Sequence, residues 1–181
     1  MSAVRPEGTG TMDSNAVTSR EYVTATIGGQ LFGLPILRVQ DVFIPERVTR
    51  VPLAPPEIAG VLNLRGRIVT LIDLRCRLGL AAKAFSSEVG TGSREENATK
   101  QKAADAEMAI GVELNGESYG LLIDAVGEVL KLDDDAREPN PLNLDPALAR
   151  VSAGIHRLDG QLLMVLDVDR VLDIGGMAAA A

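Results

Sequence analysis

The side chains able to carry chemistry are few and far apart in this sequence. His156 is the single histidine and sits between Ile155 and Arg157 in a strand-like run. Acid–base and metal sites need a second group in register, and no cysteine or carboxylate motif supplies one. His156 is therefore expected to be structural or superficial. Asp133-Asp134-Asp135 is a charge run without the alternating ligands, sixth-position glycine and terminal glutamate of a calcium loop. It is expected to form a turn or a helix N-cap. Cys76 lies between Arg75 and Arg77, cations that lower a thiol pKa. No partner base is placed beside it, and a free cysteine usually packs as a small apolar residue, so it is assigned to the core. The glycines form neither G-x-x-x-x-G-K-[ST] nor G-x-G-x-x-G, and G-x-S-x-G is absent. No catalytic, cofactor-binding or metal-binding residue is assigned, and the chain reads as a non-enzyme.

Composition narrows the partners. The formal net charge of −7 repels phosphate backbones and anionic membrane surfaces alike. With no Trp, two Tyr and three Phe, aromatic platforms for bases or polyproline ligands are nearly missing. A single cysteine excludes an internal disulfide. No apolar run approaches the ~20 residues that span a bilayer, and the N-terminal stretch lacks the apolar core of a secretory signal. A cytoplasmic protein without nucleic-acid binding or direct membrane insertion is expected.

The elements that would position any functional residue come from a duplication. Gly29–Val42 aligns without gaps on Gly116–Val129, with six identical positions and the pairs Phe32/Tyr119 and Asp41/Glu128. Further on, Gly60, Leu64, Gly66 and Asp73 match Gly154, Leu158, Gly160 and Asp167. Each unit reads as strand, glycine turn, strand, longer strand, proline-rich connection, hairpin and closing strand. Five short strands would expose two edges, and closure removes them, so the residues themselves suggest one small barrel per unit. Short helical turns are expected after Leu74 and Asp167. The first unit spans about 21–80 and the second about 107–174, within a domain of 20–176. Residues 1–19 and 177–181 are expected to be tails. Residues 81–106, rich in Ala, Ser, Glu and Lys, are expected to be an inserted mobile loop.

A residue kept by both units is more simply a requirement of the fold than a site. Asp73 and Asp167 are read this way, as caps on the turns that follow them. Arg65 differs. The tip of one hairpin is Asn63-Leu64-Arg65-Gly66, that of the other Arg157-Leu158-Asp159-Gly160. The fold accepts Asp where the first unit has Arg, so Arg65 is free to serve an acidic partner surface.

At this point the residues show a family likeness. Thr49-Arg50-Val51-Pro52 followed by Ile58 to Arg75, with its Asn-Leu-Arg-Gly core, resembles the signature stretch of the CheW family. Tyr119-Gly-Leu-Leu-Ile-Asp-Ala-Val126 is similar to the second characteristic segment of that family. The resemblance covers about 21–174 apart from the insert. It implies a mainly β fold of two intertwined five-stranded SH3-like barrels. It also implies a chemotaxis adaptor that binds the regulatory domain of the histidine kinase CheA and the cytoplasmic tip of methyl-accepting chemoreceptors, with other CheW-like chains as array neighbours. Partner contacts are expected at Val39, Asp41, Gly60, Asn63, Arg65 and Gly66. Three departures from the family are the connection at 81–106, longer than usual, Thr70 in place of a frequent Pro and Asp41 in place of a frequent Glu. The competing readings are a small-ligand-binding barrel and a CheW-like adaptor of a non-flagellar pathway.

Overall fold

A computed structural model describes residues 18–80 and 107–174. The expected insert at 81–106, the tail at 177–181 and nearly all of the tail at 1–19 lie outside the described residues. In chain order the strands are β1 (Ser19–Ile27), β2 (Gln30–Pro35), β3 (Val39–Phe43), β4 (Ile58–Leu64) and β5 (Arg67–Asp73), then β6 (Met108–Leu114), β7 (Glu117–Ile123), β8 (Ala125–Asp133), β9 (Ser152–Leu158) and β10 (Gln161–Leu166). Short helices are α1 (Leu74–Arg77), α2 (Pro146–Val151) and α3 (Val168–Leu172), and 3₁₀ turns cover Ile36–Arg38 and Asp134–Ala136.

The duplication is realised by exchange. One sheet runs β8-β1-β2-β10-β9 and the other β3-β6-β7-β5-β4. Replacing every strand by its counterpart in the other unit converts the first order into the second. The barrel per unit expected from the residues alone is therefore corrected. Each sheet takes a hairpin from one unit and three strands from the other, which is the intertwined arrangement implied by the family likeness. The join is a parallel pairing in each sheet, β10 with β2 and β5 with β7. The β1–β2 and β6–β7 hairpins each have edges that need partners, and exchange supplies them from the other unit.

Among the described residues neither sheet closes as a continuous ladder. In each, the edge strands are drawn together by a two-bond bridge, Thr49 with Val61 and Glu138 with Ile155, at N···O distances of 2.8 to 2.9 Å. The glycine preceding each bridge permits this approach. A Cβ on Gly60 would stand 2.5 Å from the carbonyl oxygen of Thr49, and one on Gly154 would stand 2.8 Å from that of Glu138.

The main core lies between the sheets and draws on both units. It contains Phe32 and Leu34 of β2, Ile72 of β5, Ile110 of β6, Leu121 of β7 and Leu166 of β10, with Leu148 of α2 and Leu172 of α3 over one side. A smaller cluster of Leu62, Val69, Leu71, Ala109 and Leu122 fills the second sheet's inner face. Alternation along β5 sends Leu71 and Ile72 to different clusters, as a pleated strand buried on both faces requires.

The matched aspartates are caps, as expected. Asp73 accepts from the Cys76 N–H, and Asp167 from the N–H groups of Asp169 and Arg170. Asp134–Ala136 forms the turn expected of the aspartate run. Cys76 is the exception: it is exposed, not in the core. Leu74 and Leu78 take the inward face of α1, and a residue midway between them on a helix points away. Partial burial and the carboxylates of Asp73 and Glu57 push the thiol pKa up, opposite to what the adjacent arginines suggested.

His156 is 2 % exposed, with its ring 5.7 Å from that of Tyr22 and its Nε2 unpartnered among the described atoms. Burial, assisted by Arg137 and opposed by Asp134, lowers its pKa below the ordinary 6.5. The folded chain thus holds a neutral imidazole while the unfolded chain binds a proton. Stability is full above about pH 6.5 and falls as pH drops through that value. His156→Phe, which keeps the ring packing, is expected to flatten this dependence while leaving stability at about pH 7.5 unchanged or higher. Denaturation midpoints at several pH values check it, and an unaltered slope in the variant contradicts it.

Candidate partner-binding site

The sequence-derived site residues fall into two groups. Asp41, Asn63, Arg65 and Gly66 meet at one end of the second sheet. Asp41 stands on edge strand β3, where a register shift between Val39 and Asp41 against β6 leaves Gln40 as an extra residue. Such a bulge bends the strand and re-aims the side chains beside it. Gln40 donates to Glu113 at 2.9 Å, and Asp41 Oδ1 accepts from the Val42 N–H at 2.8 Å. The β4–β5 hairpin turns through Arg65 and Gly66, with φ of 51° and 86°. Two positive φ values make the tight turn whose twist matches the flanking strands. Asn63 Oδ1 accepts from the Gly66 N–H at 2.8 Å and fixes the tip. Across the end of the sheet, Arg65 Nη1 lies 3.5 Å from Asp41 Oδ2, with side-chain exposures of 83 % and 42 %.

Val39 and Gly60 are placed elsewhere. Val39 is half-buried and packs on the main core, two residues from Asp41. Gly60 is buried beside Thr49, and five residues of strand, about 16 Å, separate it from Arg65.

Between β3 and the hairpin lies an open cavity of about 280 Å3. Phe43, Leu64, Val69 and Val112 line it as an apolar floor, with Asp41, Arg65 and Tyr119 around it. Tyr119 donates its hydroxyl to Glu117 at 2.6 Å, and this bond, with partial burial, pushes its pKa up to about 12. The phenol stays protonated and engaged, so it offers no base or nucleophile near neutral pH. Phe43, Tyr119, Gln40 and Arg67 were not assigned to the site from the sequence. The usable signal was their spacing, since Gln40 and Phe43 flank Asp41 and Arg67 follows Arg65 by two.

The corresponding end of the first sheet is built differently. Asp159 does not share the positive φ of Arg65, and Glu128 stands where the first unit has Asp41. Two acids replace the Arg–Asp pair, and Arg157 pairs instead with Glu138 at 2.8 Å. A cation crossing from the hairpin tip onto the edge strand is thus a property of the first unit. The two tips are also less alike than their matching sequences suggest.

The CheW-like domain model matches residues 21–175, both units and everything between them. The chain belongs to the CheW-like family. It is 27% identical over 159 residues to the chemotaxis protein CheW of Klebsiella aerogenes, covering 88% of this chain and 85% of the relative. To the chemotaxis protein CheW of Helicobacter pylori it is 26% identical over 152 residues, covering 84% and 81%. The crystal structure of the scaffolding protein TtCheW from Thermoanaerobacter tengcongensis superposes with a TM-score of 0.68 at 27% identity, over 87% of this chain and 94% of that one. Among the described residues no group of three metal-ligating side chains converges, and no helix is long and apolar enough to cross a membrane.

Proposed function

We propose that this chain is a non-enzymatic chemotaxis scaffold that couples methyl-accepting chemoreceptors to the histidine kinase CheA. On this reading it works in the cytoplasm and reaches the membrane only through its partners. The observation that carries it is the family match across both units, supported by relatives whose names are chemotaxis protein and scaffolding protein. The first-unit surface around Asp41, Asn63, Arg65 and Gly66 is proposed as a docking surface, with Val39 and Gly60 as its supports. An exposed ion pair in water is worth ~0–1 kcal/mol, so Arg65 can leave Asp41 for an acidic partner at little cost. The rigid tip fixes where the guanidinium emerges, which lowers the ordering entropy lost on docking.

The test is co-purification. The tagged chain, mixed with the kinase regulatory domain and with a receptor signalling fragment, is expected to retain both and to bridge them in one complex. Retention of neither by folded protein contradicts the proposal. The ligand-barrel alternative is disfavoured at this site because its cavity, and the larger one beside it lined by Arg67, Glu113 and Ser118, are both open, whereas small-molecule sites enclose most of their ligand.

A further inference from the structure

Exchange between two units of the same strand pattern raises a question of specificity. Because the two sheet orders interconvert when the units are swapped, a first unit could in principle pair with the first unit of another molecule in the same topology. Something must favour pairing of first with second. Two inter-unit ion pairs occupy nearly equivalent places in the two halves, and they run in opposite directions. In one, Arg38, which ends the turn between β2 and β3, makes a double contact with Asp169 at the start of α3, at 3.1 and 2.7 Å. In the other, Arg75 at the start of α1 pairs with Asp124 in the corner between β7 and β8. Asp124 also accepts from the Gly28 N–H at 2.8 Å. Counting from the matched aspartates Asp73 and Asp167, Arg75 and Asp169 are counterparts. Counting from Gly29 and Gly116, Asp124 falls one residue before the counterpart of Arg38.

The first unit therefore carries a cation at both its helix and its corner, and the second carries an acid at both. Pairing first with second satisfies both clasps. Pairing first with first would set Arg38 against Arg75 twice, and pairing second with second would set Asp124 against Asp169 twice. We infer that the two clasps are a charge code for unit pairing, which admits unlike units and rejects like ones, and so fixes which halves build the exchanged fold. Like charges at close range disfavour the wrong partner as well as failing to reward it.

The preference can be cancelled with one residue. In Arg75→Asp, two first units of different molecules would gain two clasps, each between Arg38 of one molecule and the introduced carboxylate of the other, while their second units would set Asp124 against Asp169 twice. Pairing within one molecule would instead set that carboxylate against Asp124. Arg75→Ala loses the same clasp without creating a new one. After dilution from denaturant at equal concentration, Arg75→Asp is expected to give about tenfold more dimer than Arg75→Ala, as a ~1.4 kcal/mol swing implies. The measurement is size-exclusion chromatography with light scattering. The excess should persist when the folded sample is diluted, because exchanged strands must unfold to separate. It should vanish when refolding takes place in about 1 M salt, where exposed charges are screened. If neither Arg75 variant refolds, Asp169→Arg against Asp169→Ala poses the same comparison at the more exposed clasp. Equal dimer fractions in the Asp and Ala variants at Arg75, or in the Arg and Ala variants at Asp169, overturn the inference. So does an excess that survives refolding in high salt.

Discussion

Gly60→Ala is expected to destabilise the protein by roughly 3 kcal/mol or more, at the severe end for a single methyl group. The added carbon would sit 2.5 Å from the Thr49 carbonyl oxygen and 2.7 Å from Val48 Cγ1. The exposed Val48 side chain can turn away, but the carbonyl cannot retreat freely. The Thr49 carbonyl is bonded to the Val61 N–H, and the Thr49 N–H to the Val61 carbonyl, both at 2.8 Å. Relief requires parting the bridge between the edges of the second sheet, with loss of two hydrogen bonds that are each worth ~1 kcal/mol net, and of the packing around them. Gly66→Ala is the contrast. A Cβ there meets nothing within 4 Å, so the cost is confined to a non-glycine φ of 86°, about 1–2 kcal/mol. Urea denaturation of both variants tests the pair. Equal, small losses would mean that Gly60 is not what lets the edges meet.

That result bears on how much of the molecule was legible in the sequence. Strand composition, glycine turns and the aspartate caps were readable because each is dictated within a few residues. The duplication showed that there were two units but not that their strands exchange, since an unpaired hairpin edge can be satisfied within a unit or across units. α2 was missed although Asp145 caps it, accepting from the Ala147 N–H, and Pro146 occupies its first turn. Those residues are a local start signal that a proline-rich connection obscured. The test that a residue kept by both units serves the fold held for Asp73 and Asp167. Applied consistently, it also places Gly60 and Gly66, paired with Gly154 and Gly160, and Val39, paired with Val126, among the structural residues, although the family likeness groups them with the partner contacts. Asn63 and Arg65, which the second unit does not repeat, are the ones the test leaves for binding. The Asp41–Arg65 pair was not legible, because β3 and β4 form opposite edges of one sheet and only its curvature joins them.

Arg65→Asp should separate binding from folding. The residue is 83 % exposed at the side chain, and its positive φ suits Asp better than most side chains. The change places an acid near Asp41 in high dielectric, so stability should move by within ~0.5 kcal/mol. At a docking surface the same change both removes a charge-assisted hydrogen bond and adds repulsion. A loss of ~2 kcal/mol is expected, roughly thirty-fold in affinity. Asp159→Arg, at the exposed tip of the other hairpin, is the matched control and should bind normally. The decisive measurement is titration of wild type, Arg65→Asp and Asp159→Arg against the kinase regulatory domain and a receptor signalling fragment, with thermal melting alongside. Weakened binding of at least one partner by Arg65→Asp alone, with all three proteins equally stable, is the expected result. Wild-type affinity of folded Arg65→Asp for both partners would contradict the assignment of this surface to docking.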